Sequence, residues 1–344
     1  MRTSFSRIKS KKVITVTNEG IIAVEGYNFY KRKTGSIEWE KYATISDGVN
    51  SLLAILPITR RLTRAEITKH YVLQSGTELA IARKGIFRKE KNCKKFFKSF
   101  NVLRGSRPMF LCQDLDGSVY FGEYFQNMEK KPVHIYCSKD DGQTWDIVYT
   151  FTDGAINHIH GIYMDPFTQK MWIATGDREN ECIIGYTDDG FKTIKEVYHG
   201  SQDYRTCVLF FYKDFIVFGT DSQYQQNVLK KFNRRTLEIS KIQEIQGPVI
   251  RGAQYGEFSI ISTDVEPSEV NLDKHAYVWY TKDGQHWQEL CKAEKDWLHP
   301  MLFQFGVFDL PSYSSDYRGK EIYVTGKAVK ECSGDTLVFD IDNL

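Results

Sequence analysis

The segment Ser138-Lys139-Asp140-Asp141-Gly142-Gln143-Thr144-Trp145 constrains this chain more than any other, because it fits the pattern Ser/Thr-x-Asp-x-Gly-x-Thr-Trp at every defined position. Asp and Gly at that spacing make the tight turn of a β-hairpin, with the carboxylate accepting backbone N–H bonds and the indole packing beneath. Two weaker copies follow. Tyr186-Thr187-Asp188-Asp189-Gly190-Phe191-Lys192-Thr193 lacks the tryptophan, and Thr281-Lys282-Asp283-Gly284-Gln285-His286-Trp287 is one residue short. Asp140 and Asp188 stand 48 residues apart, and Asp188 and Asp283 stand 95 apart, about twice that. Such a period belongs to a radial repeat of small sheets.

Cutting the chain at this period yields seven segments, beginning near Ile21, Arg64, Arg107, Asn157, Arg205, Arg251 and Met301. Each holds several short runs rich in Val, Ile, Tyr and Phe, bounded by Gly, Asp and Asn. In the third the runs are 109–112, 119–121, 133–136 and 147–149, which reads as four antiparallel strands. The last segment supplies three, around Phe303, 322–324 and 336–339, while 13–16 is a spare strand at the other end of the chain. Pairing them closes a ring and removes two sheet edges. The expected fold is therefore all-β: a seven-bladed β-propeller of four-stranded antiparallel blades, closed by an N-terminal strand joining the last blade. One domain is expected over 1–344, with a flexible arm at 1–11. The stretch 49–67 fits either a strand pair or one short helix.

Bulk composition excludes several function classes. Lys+Arg 46 against Asp+Glu 44 leaves a net charge of only +2, so neither a nucleic-acid nor a membrane-surface partner has electrostatic support. The cysteines, Cys93, Cys112, Cys137, Cys182, Cys207, Cys291 and Cys332, form no Cys-x-x-Cys pair. They read as buried free thiols, in keeping with a reducing compartment. No apolar run of signal-peptide length follows Met1, so the expected address is cytoplasmic. A Gly-rich phosphate loop and Gly-x-Ser-x-Gly are both absent, which removes nucleotide transfer and serine-hydrolase chemistry. A closed ring has no obligatory partner edge, and a monomer is expected.

From Arg107 to about Trp287 the chain resembles the bacterial Asp-box (bacterial neuraminidase repeat) propeller proteins of the sialidase-like superfamily. The resemblance includes Gly122-Glu123-Tyr124, His158-Ile159-His160-Gly161, Thr175-Gly176-Asp177, Gly200-Ser201-Gln202-Asp203-Tyr204-Arg205 and Gly219-Thr220-Asp221-Ser222. It implies carbohydrate handling, and it implies that the aspartate turns lie on outer hairpins, on the face opposite the ligand pocket.

In such a ring, residues entering each inner strand and leaving each second strand converge on one channel mouth. At these positions a basic residue precedes an acidic one: Arg107 then Glu123, His158 and His160 then Asp177, Arg205 then Asp221, Arg251 then Asp264. The expected partner is an acidic oligosaccharide or polysaccharide. Arg107, Arg205 and Arg251 suit its carboxylate, Glu123, His160, Asp177 and Asp221 suit acid–base catalysis, and Tyr124, His158, Gln202 and Tyr204 suit sugar contacts. Glycoside hydrolysis is the first reading. Uronate elimination, with Arg205 or Arg251 neutralising the carboxylate and His160 or Tyr124 moving the proton, is the alternative, beside non-catalytic glycan binding or scaffolding. Arg251 and Asp264 can also simply satisfy one another. His158, His160 and Asp177 have zinc- or manganese-type chemistry, but their spacing matches no metal signature, so no metal and no cofactor is expected.

Overall fold

The computed structural model describes residues 4–344, and strands dominate them. Four-stranded antiparallel meanders follow one another at 12–45, 69–101, 112–151, 158–199, 206–244 and 249–294. A further four-stranded sheet combines Val307–Asp309, Glu321–Lys327 and Thr336–Asp340 with Phe5–Ile8. The outer strands of the first two meanders also pair in parallel, Thr44 with Lys95 and Ile45 with Phe96.

Burial along the strands explains this arrangement. The third strand of the 112–151 sheet, Val133–Ser138, alternates buried and half-buried positions. Second strands such as Met171–Gly176 and Phe258–Thr263 are buried at every position, whereas the outermost strand Asp146–Phe151 is largely open. A sheet is covered on both faces near an axis and uncovered at the rim only if sheets stack radially. The core is accordingly layered between neighbours. Tyr120, Ile135, Ile159, Ile173 and Phe191 form one layer; Trp172, Ile184, Leu209, Phe218 and Phe232 form the next. The last sheet places Phe308, Tyr323 and Val338 in one cluster with Ile260 and Val278 and with Val13 and Val16 of the first sheet, so the ring closes. The fold is a β-propeller.

Closure differs in detail from expectation. The strand that completes the last sheet is Phe5–Ile8, paired from Phe5 with Phe339 to Ile8 with Thr336. The spare strand at 13–16 lies instead within Lys12–Thr17, the inner strand of the first sheet, so that sheet starts before Ile21. Val13, Ile14 and Val16 suit a position covered on both faces, whereas Phe-Ser-Arg-Ile is polar and exposed and reads as an arm. Residues 5–8 of the expected arm are thus strand, and 1–3 lie outside the described residues. Phe303 ends a short helix, Pro300–Phe303, and the inner strand follows it at Val307–Asp309. The stretch 49–67 contains two short helices, Val49–Leu53 and Pro57–Thr63, the second started by a proline whose fixed φ suits a first turn.

The turn at 138–145 is built as its residues demand. Asp140 Oδ1 accepts from the backbone N–H of Gln143 (3.1 Å) and Thr144 (2.8 Å), Oδ2 accepts from the Thr144 hydroxyl (2.7 Å), and Gly142 takes φ 79°. In the second copy the turn aspartate is Asp189 rather than Asp188: Asp189 accepts from Thr193 N–H at 3.0 Å, and Asp188 pairs with Lys195. Phe191 therefore occupies the glycine position, at φ 62°. Every turn joins the third strand of its sheet to the fourth, at the end away from the second-to-third connections. All seven cysteines are free and five are buried. Among the described residues no helix is long and apolar enough to cross a membrane.

Candidate functional site

Inner strands begin and second strands end around a cavity of about 330 Å³. Much of its polar lining is an ion-pair network. Arg205 Nη2 lies 3.0 Å from Asp177 Oδ1, and its Nε lies 3.5 Å from Asp221 Oδ2, too poorly aligned to count as a hydrogen bond. Arg251 Nη1 donates to both oxygens of Asp264 at 2.7 Å, and its Nε donates to Asp309 at 2.7 Å. Lys12 reaches the other Asp309 oxygen at 2.9 Å, and Lys327 reaches Glu66 at 2.6 Å. Burial opposes ionisation of Asp309, yet Lys12, Lys327 and Arg251 together hold its carboxyl well below the usual carboxylate range.

The remaining cations of the lining have no such partners. Arg64, Lys69 and Arg107 line the same cavity, and among the described residues none has a carboxylate within 4.0 Å. Burial pushes the Lys69 ammonium down to about 8 despite the attraction of Asp309, and burial also lowers Arg107. Lys69 Nζ sits 5.1 Å above the Phe110 ring. Arg64 is exposed while Lys69 and Arg107 are half-buried, and partly desolvated cations without a close carboxylate favour an anion beside them. Glu266 lines the cavity too; burial, with help from Asp221 and Asp264, pushes its carboxyl up to about 7. Its Oε1 accepts from Gln223 Nε2 at 2.6 Å.

Of the residues singled out in the sequence, Arg107, Tyr124, Asp177, Arg205, Asp221 and Arg251 meet in this cavity. Glu123 does not. Both Glu123 and Tyr124 follow the second strand, Val119–Gly122, but Glu123 is clamped by the Arg104 guanidinium and by the His134 N–H at 2.9 Å, while Tyr124 borders both its cavity and the mouth. Glu123 faces a separate cavity of about 230 Å³, and the loop turns at Gly105 (φ 74°) between Arg104 and Arg107. His158 and His160 are buried and do not line the mouth cavity. They stand behind Asp177, their Nε2 atoms 3.3 and 3.4 Å from its Oδ1, so His160 acts on a ligand only through Asp177. Burial raises the Asp177 carboxyl, but the two imidazoles against it outweigh burial and hold it well below the carboxylate range. Gln202 is a brace: its Nε2 donates to the Asp177 carbonyl at 2.6 Å and its Oε1 accepts from Ser222 at 3.0 Å. Tyr204 stacks on Tyr198 with centroids 5.0 Å apart, outside the cavity. The expected Arg251–Asp264 pair is formed.

Sequence reasoning missed Glu66, Lys69, Glu266, Asp309 and Lys327. The rule that found the others reaches three of them: Glu66 and Lys69 stand at the entry to the second sheet's inner strand, and Lys327 ends the last sheet's second strand. Misplaced boundaries in the first and last sheets hid the rest of the ring.

No family model matches the chain, and no curated protein matches it. Solved structures do. YCF48 bound to D1 peptide aligns over 99% of this chain and 97% of its own at TM-score 0.56 and 10% identity. The extracellular domain of BT4673, assigned to a hybrid two component system of B. thetaiotaomicron, aligns over 99% of this chain at TM-score 0.61 and 8% identity. The GH74 enzyme of Niastella koreensis aligns over 83% of this chain at TM-score 0.51 and 12% identity. This chain spans 43% of the BT4673 chain and 46% of the GH74 chain. At such identities the likeness is one of fold, that of β-propeller proteins.

Proposed function

We propose that the protein is a seven-bladed, single-domain, monomeric propeller that binds an acidic oligosaccharide or polysaccharide in the mouth cavity and hydrolyses a glycosidic bond there. The carrying observation is the group Arg64, Lys69 and Arg107, three cations with no carboxylate of the described residues within 4.0 Å in a cavity whose other cations, Arg205, Arg251 and Lys327, are paired. A uronate or sialate carboxylate is the complementary group, because a guanidinium binds it bidentately and an ammonium adds a point charge. Glu266 and Asp177 then divide the chemistry, since their surroundings push their proton affinities in opposite directions. Glu266 keeps its proton near neutrality and delivers it to the leaving oxygen. Asp177 stays ionised and orients the attacking water. The shared fold of a GH74 glycoside hydrolase supports a carbohydrate role without specifying one.

Uronate elimination is the second reading, favoured by one observation: burial keeps the Tyr124 phenol, which lines the cavity, protonated far above its ordinary range. In that reaction the ionised Asp177 takes the proton α to the carboxylate, the neutral phenol gives one to the leaving oxygen as its bond to carbon breaks, and Arg107 neutralises the uronate. The two reactions separate in one assay. Sialylated and uronate-containing oligosaccharides are incubated with the protein while reducing ends and the absorbance of an unsaturated product are followed. New reducing ends without that absorbance support hydrolysis, and the absorbance supports elimination. If acidic oligosaccharides neither bind nor turn over, the proposal fails.

A further inference from the structure

We infer that His158, His160 and Asp177 form a binding site for one divalent transition-metal ion of the zinc type. Their three ligand atoms, His158 Nε2, His160 Nε2 and Asp177 Oδ1, are separated by 3.1, 3.3 and 3.4 Å. Neighbouring ligands on a zinc tetrahedron, with metal–ligand distances of about 2.0–2.2 Å, lie about 3.3 Å apart, so the triangle has the dimensions of one tetrahedral face.

Each imidazole is oriented for the task from behind. His158 Nδ1 faces the Phe125 carbonyl at 2.9 Å and His160 Nδ1 faces the Thr206 carbonyl at 2.9 Å. A carbonyl only accepts, so both Nδ1 atoms carry the proton and both Nε2 atoms present lone pairs. Two lone pairs and a carboxylate oxygen converging on one point repel unless a cation sits between them. The carboxylate is held from its far side too, since Asp177 Oδ2 accepts from Asn157 Nδ2 at 2.8 Å. Backbone carbonyls and an amide that fix ligand orientation in this way are the outer shell of a metal centre. Arg205 Nη2 also stands 3.0 Å from Asp177 Oδ1, and Asp221 beside that guanidinium offsets its charge. Asp177 lines the ligand cavity while the imidazoles lie behind it, so the ion stands between the buried histidines and the ligand space. Sequence spacing does not reveal this site, because Asp177 arrives from the neighbouring strand. The site shares Asp177 with the glycan reading but does not rest on it, and its test uses no sugar.

The full chain, stripped with a chelator and dialysed, is titrated with zinc chloride by calorimetry and with cobalt(II) chloride by visible absorption. One ion per chain is expected, with the intense ligand-field bands of tetrahedral cobalt. His160→Gln and Asp177→Asn are expected to weaken zinc binding by about 100-fold or more while far-UV circular dichroism is unchanged. If His160→Gln unfolds, the more exposed Asp177→Asn carries the comparison. Absence of binding by the wild-type protein, meaning that a proton alone fills the gap, overturns the inference; so does binding that both variants retain.

Discussion

At the scale of single residues, the decisive fact is that charges in the mouth cavity are unequally compensated. Lys69 is half-buried with no carboxylate of the described residues within 4.0 Å, and its ammonium is driven down to about 8 despite the more distant Asp309. Replacing it with methionine removes an uncompensated charge but keeps the aliphatic stem over Phe110. Lys69→Met is therefore expected to raise the melting temperature of the sugar-free protein while weakening acidic-oligosaccharide binding by about tenfold or more. A melting temperature that falls together with binding contradicts this. Glu266 makes the opposite prediction with pH. Its folded value, near 7, lies above its ordinary 4.5, so its stabilising contribution is complete below about 4.5 and is lost as pH rises through about 7. Urea unfolding at about pH 5 and pH 8 is expected to show a decline in the wild type that is smaller by up to ~3 kcal/mol in Glu266→Gln, where Asp264, raised by burial to about 6, accounts for what is left. Hydrolysis, if Glu266 is the acid, declines over the same upper limb, and the glutamine variant is inactive throughout.

At the scale of elements, the aspartate turns are where sequence and structure agree most closely and where their one disagreement is instructive. Ser138, Asp140, Gly142 and Thr144 each make the bond or backbone angle that their spacing implies. Asp140→Ala strips several acceptor contacts from one turn and is expected to cost ~1–3 kcal/mol in urea unfolding. In the second copy, the Asp-Asp-Gly string draws the eye to Asp188, yet the backbone selects Asp189 and forces Phe191 to φ 62°. That strain amounts to about 1–3 kcal/mol, but the Phe191 side chain is fully buried between two sheets, and deleting such a ring costs about 3–5 kcal/mol. Packing wins. Phe191→Gly is expected to destabilise the protein although it relieves the backbone, and a stabilised variant would reverse that ranking.

For the whole molecule, ring closure depends on a strand that the sequence scarcely announces. Phe5–Ile8 has neither alternation nor burial, and only its ladder with Thr336–Asp340 defines it. Deleting residues 1–9 exposes the edge of the last sheet and is expected to lower the urea midpoint and promote aggregation, read by light scattering. Unchanged stability contradicts closure by this strand. The ring itself was legible from the period of three turns. Half of the mouth was legible from the order of basic and acidic residues, because strand ends recur at fixed offsets. What stayed hidden depends on contacts that no offset encodes: Glu266 three residues beyond its strand, Asp309 shared by Lys12 and Arg251 from different sheets, and Arg104 taking Glu123 from Arg107.

The proposed function requires that Arg64, Lys69 and Arg107 take up an anion. Calorimetric titration with a uronate-containing oligosaccharide and with its uncharged methyl ester tests it directly, using the wild type and Arg107→Ala. The wild type is predicted to bind the acid at least about tenfold more tightly than the ester, with a preference that shrinks with added salt and is lost in Arg107→Ala. Equal affinity for acid and ester, or a preference that survives Arg107→Ala, would contradict it.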